Sequence, residues 1–131
     1  MSDPRRLTER DLQIYVADLL HYCGRRDVLF LHPANEGKRS KREGASLKRQ
    51  GMIPGASDFI VIVRGQAHAL ELKTRTGRHS AEQKAFADAA AAAEVPYATA
   101  RSPEEAKAVL ASWGALRPDS VADVVKHMLS A

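Results

Sequence analysis

Two apolar segments separated by a short turn constrain this chain more than any other feature of its sequence. The first runs from Asp58 to Val63 and the second from Ala67 to Thr74, with Arg64-Gly65 lying between them. The first segment consists largely of β-branched and aromatic residues, which favour a strand. A two-residue connection that contains glycine, placed between two such segments, predicts a β-hairpin in which residue 63 faces residue 66.

The register of this hairpin places Asp58 directly opposite Glu71, two residues before Lys73. Opposed residues share a face of the sheet, with Cβ atoms roughly 4.5–5.5 Å apart, and residues two apart along one strand share that face too. Carboxylates this close repel each other unless a cation lies between them, and hard oxygen ligands favour Mg²⁺ or Mn²⁺. The pattern indicates metal-dependent phosphodiester hydrolysis, with the backbone carbonyl of Leu72 as a further candidate ligand.

Each residue of this group also has an ordinary structural interpretation. An aspartate that enters a strand commonly caps the preceding loop, and for Asp58 alone that interpretation is the stronger. Glu71, flanked by leucines, needs a partner or a metal, and a salt bridge with Lys73 or with a basic loop residue would serve. The register and the Glu71-x-Lys73 spacing together favour the metal site. In it, Lys73 orients or helps to deprotonate the attacking water, or neutralises charge developing on the phosphate.

Composition limits the class of protein. The chain has 131 residues, 44% of them hydrophobic, and a net charge of +4, which predicts one domain with a real core. No apolar stretch reaches the ~18–20 residues that a membrane helix needs, so no membrane partner is expected. A single cysteine, Cys23, excludes an internal disulfide, and the N-terminus lacks a signal-peptide pattern. Both features predict an intracellular, cytoplasmic protein.

Positive charge is concentrated between residues 37 and 51, where six basic residues stand against one acid, Glu43. Basic runs are usually solvated surface loops, but concentrated positive charge is also the footprint of nucleic-acid binding. Because this run directly precedes the carboxylate hairpin, we interpret it as a DNA-contacting segment. With an asparagine that precedes the run, the candidate DNA-binding residues are Asn35, Lys38, Arg39, Lys41, Arg42, Lys48 and Arg49.

The remaining segments predict helices that cover a central sheet. Apolar residues at helical spacing, N-capping serines and short β-branched runs mark these elements. The alanine-rich stretch after Ser80 predicts a closely packed helix, and a helical turn is expected near Ala45–Arg49. The outcome is an α/β sandwich with a mixed central sheet. In chain order, the elements are a helix over 7–23, a strand over 27–32, the hairpin, a helix over 80–94, a strand over 95–100, and helices starting at 102 and spanning 120–130.

Three further residues are candidates because of their positions. Glu9 extends the inward side of the first helix and could reach a metal, but an acid in the first turn also complements the helix dipole; spacing supports both equally. Gln83 could bind water or phosphate, or could only close a capping box with Ser80. His32, just after the first strand, could contact DNA, but a surface position without a function is the favoured interpretation.

Six short motifs occur in a specific order and spacing along the chain. Together they resemble the PD-(D/E)XK nuclease superfamily and, within it, the virus-type replication-repair nuclease (VRR-NUC) family, over about residues 7 to 113. The motifs are Glu9-x-Asp11-Leu12-Gln13, His32-Pro-Ala-Asn35-Glu-Gly-Lys-Arg39, Leu47-Lys48-x-x-Gly51-x-x-Pro54-Gly55-x-x-Asp58, Glu71-Leu-Lys73, Gly77-x-x-Ser80-x-x-Gln83 and Ala98-x-Ala100-x-Ser102-x-Glu-Glu-Ala106.

The resemblance implies a restriction-endonuclease-like core of order α-β-β-β-α-β, followed by C-terminal helices. A single domain would span 1–131, with its core over about 7–113 and a tail over 114–131 outside the match. The family pattern assigns metal binding to the positions of Glu9, Asp58 and Glu71, a catalytic role to Lys73 and an assisting role to Gln83. One departure is that Ser57 stands where the family has a proline before the first acid.

The activity that this resemblance implies is that of a Mg²⁺- or Mn²⁺-dependent DNA endonuclease of replication-repair type. Small stand-alone members resemble phage-encoded proteins and can act as homodimers on branched DNA such as Holliday junctions, so both features are expectations here. Two alternatives stay open: a non-catalytic DNA-binding module that retains the fold, and a nuclease that acts on RNA.

Overall fold

The computed structural model describes residues 6–33, 41–51 and 53–118. The α/β class and the mixed sheet predicted from the sequence are confirmed, and the helix expected over 120–130 lies outside the described residues. The elements are α1 (Glu9–Cys23), β1 (Val28–Leu31), α2 (Lys41–Arg49), β2 (Phe59–Val63), β3 (Gln66–Leu72), α3 (Ala81–Ala92), β4 (Tyr97–Ala100) and α4 (Pro103–Ser112).

A sheet of order β1-β2-β3-β4 lies at the centre of the fold. Strand β2 pairs antiparallel with both β1 and β3. Strands β3 and β4 are parallel and are connected through α3. The β2–β3 hairpin has the predicted register, since Val63 pairs with Gln66. Its turn residues, Arg64 and Gly65, have φ angles of 51° and 80°, the left-handed pair that a tight type I′ hairpin turn needs.

The hydrophobic core lies on one face of the sheet, beneath α1 and α4. Helix α1 follows the N-cap Thr8, which forms a capping box with Asp11 and so fixes the start of the helix. Three of its side chains, Leu12, Val16 and Leu19, are fully buried. They pack against the odd-numbered residues of β2 and against Leu70, Leu72, Ala100, Ala106 and Leu110.

The buried core extends beyond residue 113. Ala115 and Leu116 belong to it, and the backbone N–H of Arg117 donates to the carbonyl of Cys23 at 2.8 Å. The start of the predicted tail, residues 114–117, therefore closes the C-terminal end of α1. The thiol of Cys23 is itself buried, as expected of a structural cysteine.

The other face of the sheet is covered less completely. Along β2, Phe59, Val61 and Val63 are buried, whereas Ile60 and Ile62 are only partly buried. Strand β2 lies inside the sheet, but its two faces are covered unequally.

Two helices differ from their predictions. Helix α2 begins at Lys41, so the expected single turn is a helix of 9 residues. Helix α3 is not closely packed: of its 12 residues only Ala90 is buried, and Phe86 contacts Tyr97 at 6.3 Å between ring centroids. Alanine favours the helix wherever it lies, so an alanine-rich sequence predicts a helix without predicting burial. None of the helices in the described ranges is long and apolar enough to cross a membrane.

Candidate functional site

Asp58 lies at the open end of the hairpin, one residue before β2. Continuing the strand register by one position brings it opposite Glu71, as predicted. One of its carboxylate oxygens accepts the backbone N–H of Leu72 at 2.7 Å, and the other accepts from Gln13 at 3.0 Å. The carboxylate therefore takes the place of a backbone carbonyl in the β2–β3 ladder and does not cap its own loop.

Glu71 is a buried carboxylate with incomplete hydrogen bonding. Its side chain is 2% exposed; Oε1 accepts from Gln83 at 3.2 Å, and Oε2 is buried without a partner. Burial, followed by the hydrogen bond and like charge of Asp58, raises the pKa of Glu71 to about 9. An acid in this environment resists ionisation until a cation arrives to stabilise the charge.

Lys73 follows Glu71 on the same side of the chain and is also buried, at 8% exposure. Its Nζ lies 3.9 Å from a carboxylate oxygen of Glu9, at the start of α1. Lys73 therefore pairs with Glu9 and not with Glu71, the partner that the ordinary structural interpretation of Glu71 offered. The ammonium charge still lowers the pKa of Glu71. An ammonium and three carboxylates meet where α1 passes the end of β3.

Gln83 closes the capping box that its spacing allowed, and it also contacts Glu71. Its Oε1 accepts the backbone N–H of Ser80 at 2.8 Å and so closes the capping box of α3. Its Nε2 donates to Glu71 at 3.2 Å. The side-chain amide of Gln83 thus caps α3 through its oxygen and holds the buried Glu71 carboxylate through its nitrogen.

These side chains line a cleft of about 610 Å³ between the start of α1, the loop before β2 and the start of α3. Glu9, Asp58, Glu71 and Gln83 all border it. The sequence-predicted acids thus border one cleft, two of them from the hairpin and one, Glu9, from α1, which lies far from the hairpin in the chain.

Two residues at this cleft were not assigned a role from the sequence. Gln13 holds Asp58 directly; its position one helical turn beyond Glu9 was the available signal. His32 is exposed, as expected, and it also lines the cleft. Its Nδ1 hydrogen-bonds the backbone carbonyl of Asp58, and its ring lies 5.1 Å from that of Phe59.

The donor set fits a hard divalent cation. Asp58 and Glu71 provide adjacent carboxylates, one with the orphaned oxygen Oε2. The N–H and C=O of one strand residue point toward the same neighbouring strand, so the Leu72 carbonyl faces the side on which Asp58 lies. Within the described ranges, no three His, Cys, Asp or Glu side chains are grouped closely enough to hold a metal by themselves. Glu9 lies beside the pair, held by Lys73.

The loop before β2 is shaped by two residues of its motif. Gly55 has a φ of +73°, and a Cβ there would lie 2.4 Å from the carbonyl carbon of Glu82. The loop therefore passes directly over the first turn of α3, which only a glycine permits. Ser57, at the position of the family's proline, is buried, and its hydroxyl donates to the Phe59 carbonyl at 3.1 Å. This hydrogen bond joins the residues on either side of Asp58 and restrains the backbone there, as a proline at position 57 would.

The basic segment is partly within the described residues. Asn35, Lys38 and Arg39 lie outside them, as does the side chain of Lys41. The side chains of the other members, Arg42, Lys48 and Arg49, are exposed on α2.

Comparisons with known proteins support the fold. No protein-family model and no curated protein matches the sequence. Among solved structures, the chain is similar to a protein named "VRR_NUC domain protein", with a TM-score of 0.66 and 21% sequence identity. The match covers 81% of this chain and 87% of that chain. At this identity the likeness shows a shared fold, and so confirms the restriction-endonuclease-like architecture that the VRR-NUC motifs implied.

Proposed function

We propose that this chain is a divalent-metal-dependent DNA endonuclease that hydrolyses phosphodiester bonds. The observation that carries this proposal is the pairing of Asp58 with Glu71 at the open end of the hairpin, beside Lys73. Burying two carboxylates side by side destabilises a fold unless a cation compensates them. Such a pair is therefore more readily explained by a bound cation than by structure alone.

The ion would be Mg²⁺ or Mn²⁺, held by Asp58 and Glu71, with Glu9 and the Leu72 carbonyl as further oxygen ligands. When bound, such an ion polarises the scissile phosphate and supplies a water of lowered pKa.

The chain's own residues prepare the reaction. Lys73, held by Glu9 at the rim of the cleft, orients the attacking water and stabilises negative charge that develops on the phosphate. Gln83 and Gln13 hold the carboxylates of Glu71 and Asp58, respectively. Because each is fixed by a hydrogen bond to a helix, the carboxylates need little rearrangement when substrate binds.

DNA is the proposed substrate because the exposed basic side chains of α2 match a phosphate backbone. The preference for branched DNA and the homodimer implied by the family resemblance are part of the same proposal. Substrate ranking tests the first, and light scattering with and without a four-way junction tests the second.

The test is cleavage of supercoiled plasmid and of synthetic four-way, flap and linear DNAs, with Mg²⁺, Mn²⁺ or EDTA. Wild type is compared with Asp58→Ala and with Asp58→Asn, which keeps an acceptor for the Leu72 N–H and so preserves the hairpin. Arg64→Gln, at the far end of the hairpin, is the control for handling and purity. A matched RNA series accompanies the DNA series.

Metal-dependent cutting by wild type and Arg64→Gln that is absent in both Asp58 variants supports the proposal. Salt-sensitive DNA binding without cutting in any metal would replace it with the non-catalytic binding module. Preferential cutting of RNA would replace DNA as the substrate.

A further inference from the structure

A second group of cations lies between β3 and α3. From Lys73 to Lys84 the chain carries four basic residues and one acid, Glu82. Two of the basic residues, Arg75 and Arg78, lie on the connection over 73–80, which we call the β3–α3 loop. Their side chains are exposed, and no salt bridge joins either of them to an acid in the described part of the chain.

The β3–α3 loop is held in a defined conformation by partly buried hydrogen bonds from Arg101. One guanidinium nitrogen of Arg101 donates to the carbonyl of Thr74 at 2.9 Å and to that of Gly77 at 2.6 Å. The backbone N–H of Gly77 also donates to the Thr74 carbonyl at 3.2 Å. Arg101 thus uses its charge to organise the loop backbone, which leaves Arg75 and Arg78 directed to solvent on a fixed turn.

The loop begins and ends at the candidate site. Its first residue, Lys73, lies beside Glu9, and its last residue, Ser80, lines the cleft with Gln83. The extra methyl group of an alanine at Gly77 would lie 2.9 Å from Thr74 Oγ1 and 3.5 Å from Lys73 Cδ. The loop therefore packs against the Lys73 side chain. Its two arginines lie in the chain between Lys73 and Ser80, and Ser80 lines the cleft.

The electrostatics of this region are those of an anion-binding surface. His79, hydrogen-bonded to Thr99 at 2.9 Å, has its pKa lowered first by burial and then by the positive charges of Lys73, Arg101 and Lys84. The positive charges of several side chains are therefore felt at His79, and Glu82, the one acid between residues 73 and 84, is not enough to neutralise them. A merely solvated surface would not require a partly buried arginine to order its backbone.

We infer that the β3–α3 loop is a second phosphate-binding surface, in which Arg75 and Arg78 contact the nucleic-acid backbone next to the phosphate held in the cleft. This inference rests on the proposed function, because it presumes a polymeric phosphodiester substrate. It deepens that function by assigning a contact separate from α2 and by requiring that the substrate extend beyond the cleaved bond.

The experiment compares two double variants of equal charge. Arg75→Gln/Arg78→Gln alters the loop, and Arg26→Gln/Arg64→Gln removes two exposed arginines from the opposite end of the sheet. Fluorescence anisotropy measures binding of each protein to a labelled DNA duplex in EDTA, between roughly 50 and 200 mM salt. Thermal unfolding of each variant establishes that the fold is kept, and cleavage with Mg²⁺ is measured separately.

For the loop variant we expect affinity to fall at least about tenfold, and the slope of log K against log salt to shrink by about 1.8, or ~0.9 for each lost phosphate contact. The control variant should stay close to wild type. If both variants lose the same affinity and slope, or if wild type does not bind the duplex, the inference is wrong.

The two proposals fail in different ways. Loss of binding confined to the loop variant, in a protein that never cleaves, supports the loop surface and overturns the nuclease. Metal-dependent cleavage with identical binding by the two double variants supports the nuclease and overturns the loop surface.

Discussion

The two ends of the β2–β3 hairpin are built from the same strands, yet they differ in burial, in charge and in their contacts with the rest of the chain. At the turn end, Arg64 and Gly65 are exposed and make a local connection. At the open end, Asp58, Glu71 and Lys73 are at least partly buried, and each is held by a side chain or backbone group from another part of the chain. The turn end serves folding, whereas the open end concentrates charge that folding alone does not need.

The comparison suggests that the open end carries a cost in stability that a bound substrate or metal offsets. Residues arranged for function often violate the rules that the rest of a fold follows. The buried acids, the orphaned Glu71 oxygen and the close passage of Gly55 over α3 all lie at this end. Substitutions at the two ends of the hairpin should therefore differ in their effects on cleavage and on the free energy of unfolding.

The largest effect is expected from Lys73→Met, which removes the ammonium and keeps the length of the side chain. Cleavage should fall roughly 10²- to 10³-fold, because one preorganised group that stabilises transition-state charge contributes about that much. Single-turnover cleavage with saturating Mg²⁺ measures the loss. Lys107→Met on α4 is the matched control and should cleave like wild type. Equal rates for the two variants would remove Lys73 from the mechanism.

Gly55→Ala and Gly65→Ala compare the two ends directly. Both residues have positive φ, +73° and +80°, so each substitution introduces backbone strain of about 1 kcal/mol. At Gly65 the new methyl group meets nothing within 4 Å, whereas at Gly55 it meets the Glu82 and Gln83 backbones at 2.4–2.6 Å. Displacing α3 should add about 2 kcal/mol.

Denaturant unfolding measures the difference between the glycine variants. Gly55→Ala should also slow cleavage, since movement of the first turn of α3 carries Gln83 away from Glu71. Similar unfolding midpoints for both alanine variants would show that the loop at Gly55 can move away from α3 at little cost and does not fix the position of Gln83.

The stability of the metal-free protein should fall as pH rises from about 6 to 8. Glu71 keeps its proton in the folded state up to a pKa of about 9, but the unfolded chain loses it near the ordinary glutamate pKa of 4.5. The folded state therefore binds more protons across this window, and stability decreases by about 2 kcal/mol. Urea unfolding in EDTA at several pH values measures the slope.

Glu71→Gln should flatten this dependence, because glutamine has no proton to lose. Glu104→Gln, at an exposed glutamate of α4, should retain the wild-type slope. If Glu71→Gln leaves the slope intact, another group is responsible, and the open end does not carry the proposed electrostatic cost.

The smallest effect is expected from Ser57→Ala. Loss of the buried hydrogen bond to the Phe59 carbonyl should lower the free energy of unfolding by about 1 kcal/mol. Ser112→Ala removes a similar bond to the Val109 carbonyl at an exposed position, where water can replace it, and should have a smaller effect. Thermal unfolding of both variants distinguishes the two positions; a greater loss at Ser112 would contradict the role assigned to Ser57.

Much of the fold was predictable because it follows from short-range patterns. Alternating or continuous apolar residues identify strands, and two residues between them determine the hairpin register. Capping boxes at Thr8 and Ser80 mark helix starts through contacts three residues apart. The opposition of Asp58 and Glu71 belongs to this class, since it needs only the turn between them.

The supporting contacts of the site were not predictable in this way. Gln13 reaches Asp58 across 45 residues of sequence, and the partner of Lys73 is Glu9, not Glu71. The exposure of α3 and the full length of α2 also differ from the expectations. Each of these depends on how a helix packs against the sheet, which sequence periodicity does not encode.

The sequence by itself thus determined the strands, the hairpin register and the identity of the central acids, because these depend on local backbone geometry. Only the tertiary structure decided which residues hold those acids, how deeply Glu71 is buried and where Arg101 fixes the β3–α3 loop. These properties depend on distances between elements that are far apart in the chain, and they arise only when the helices pack around the sheet.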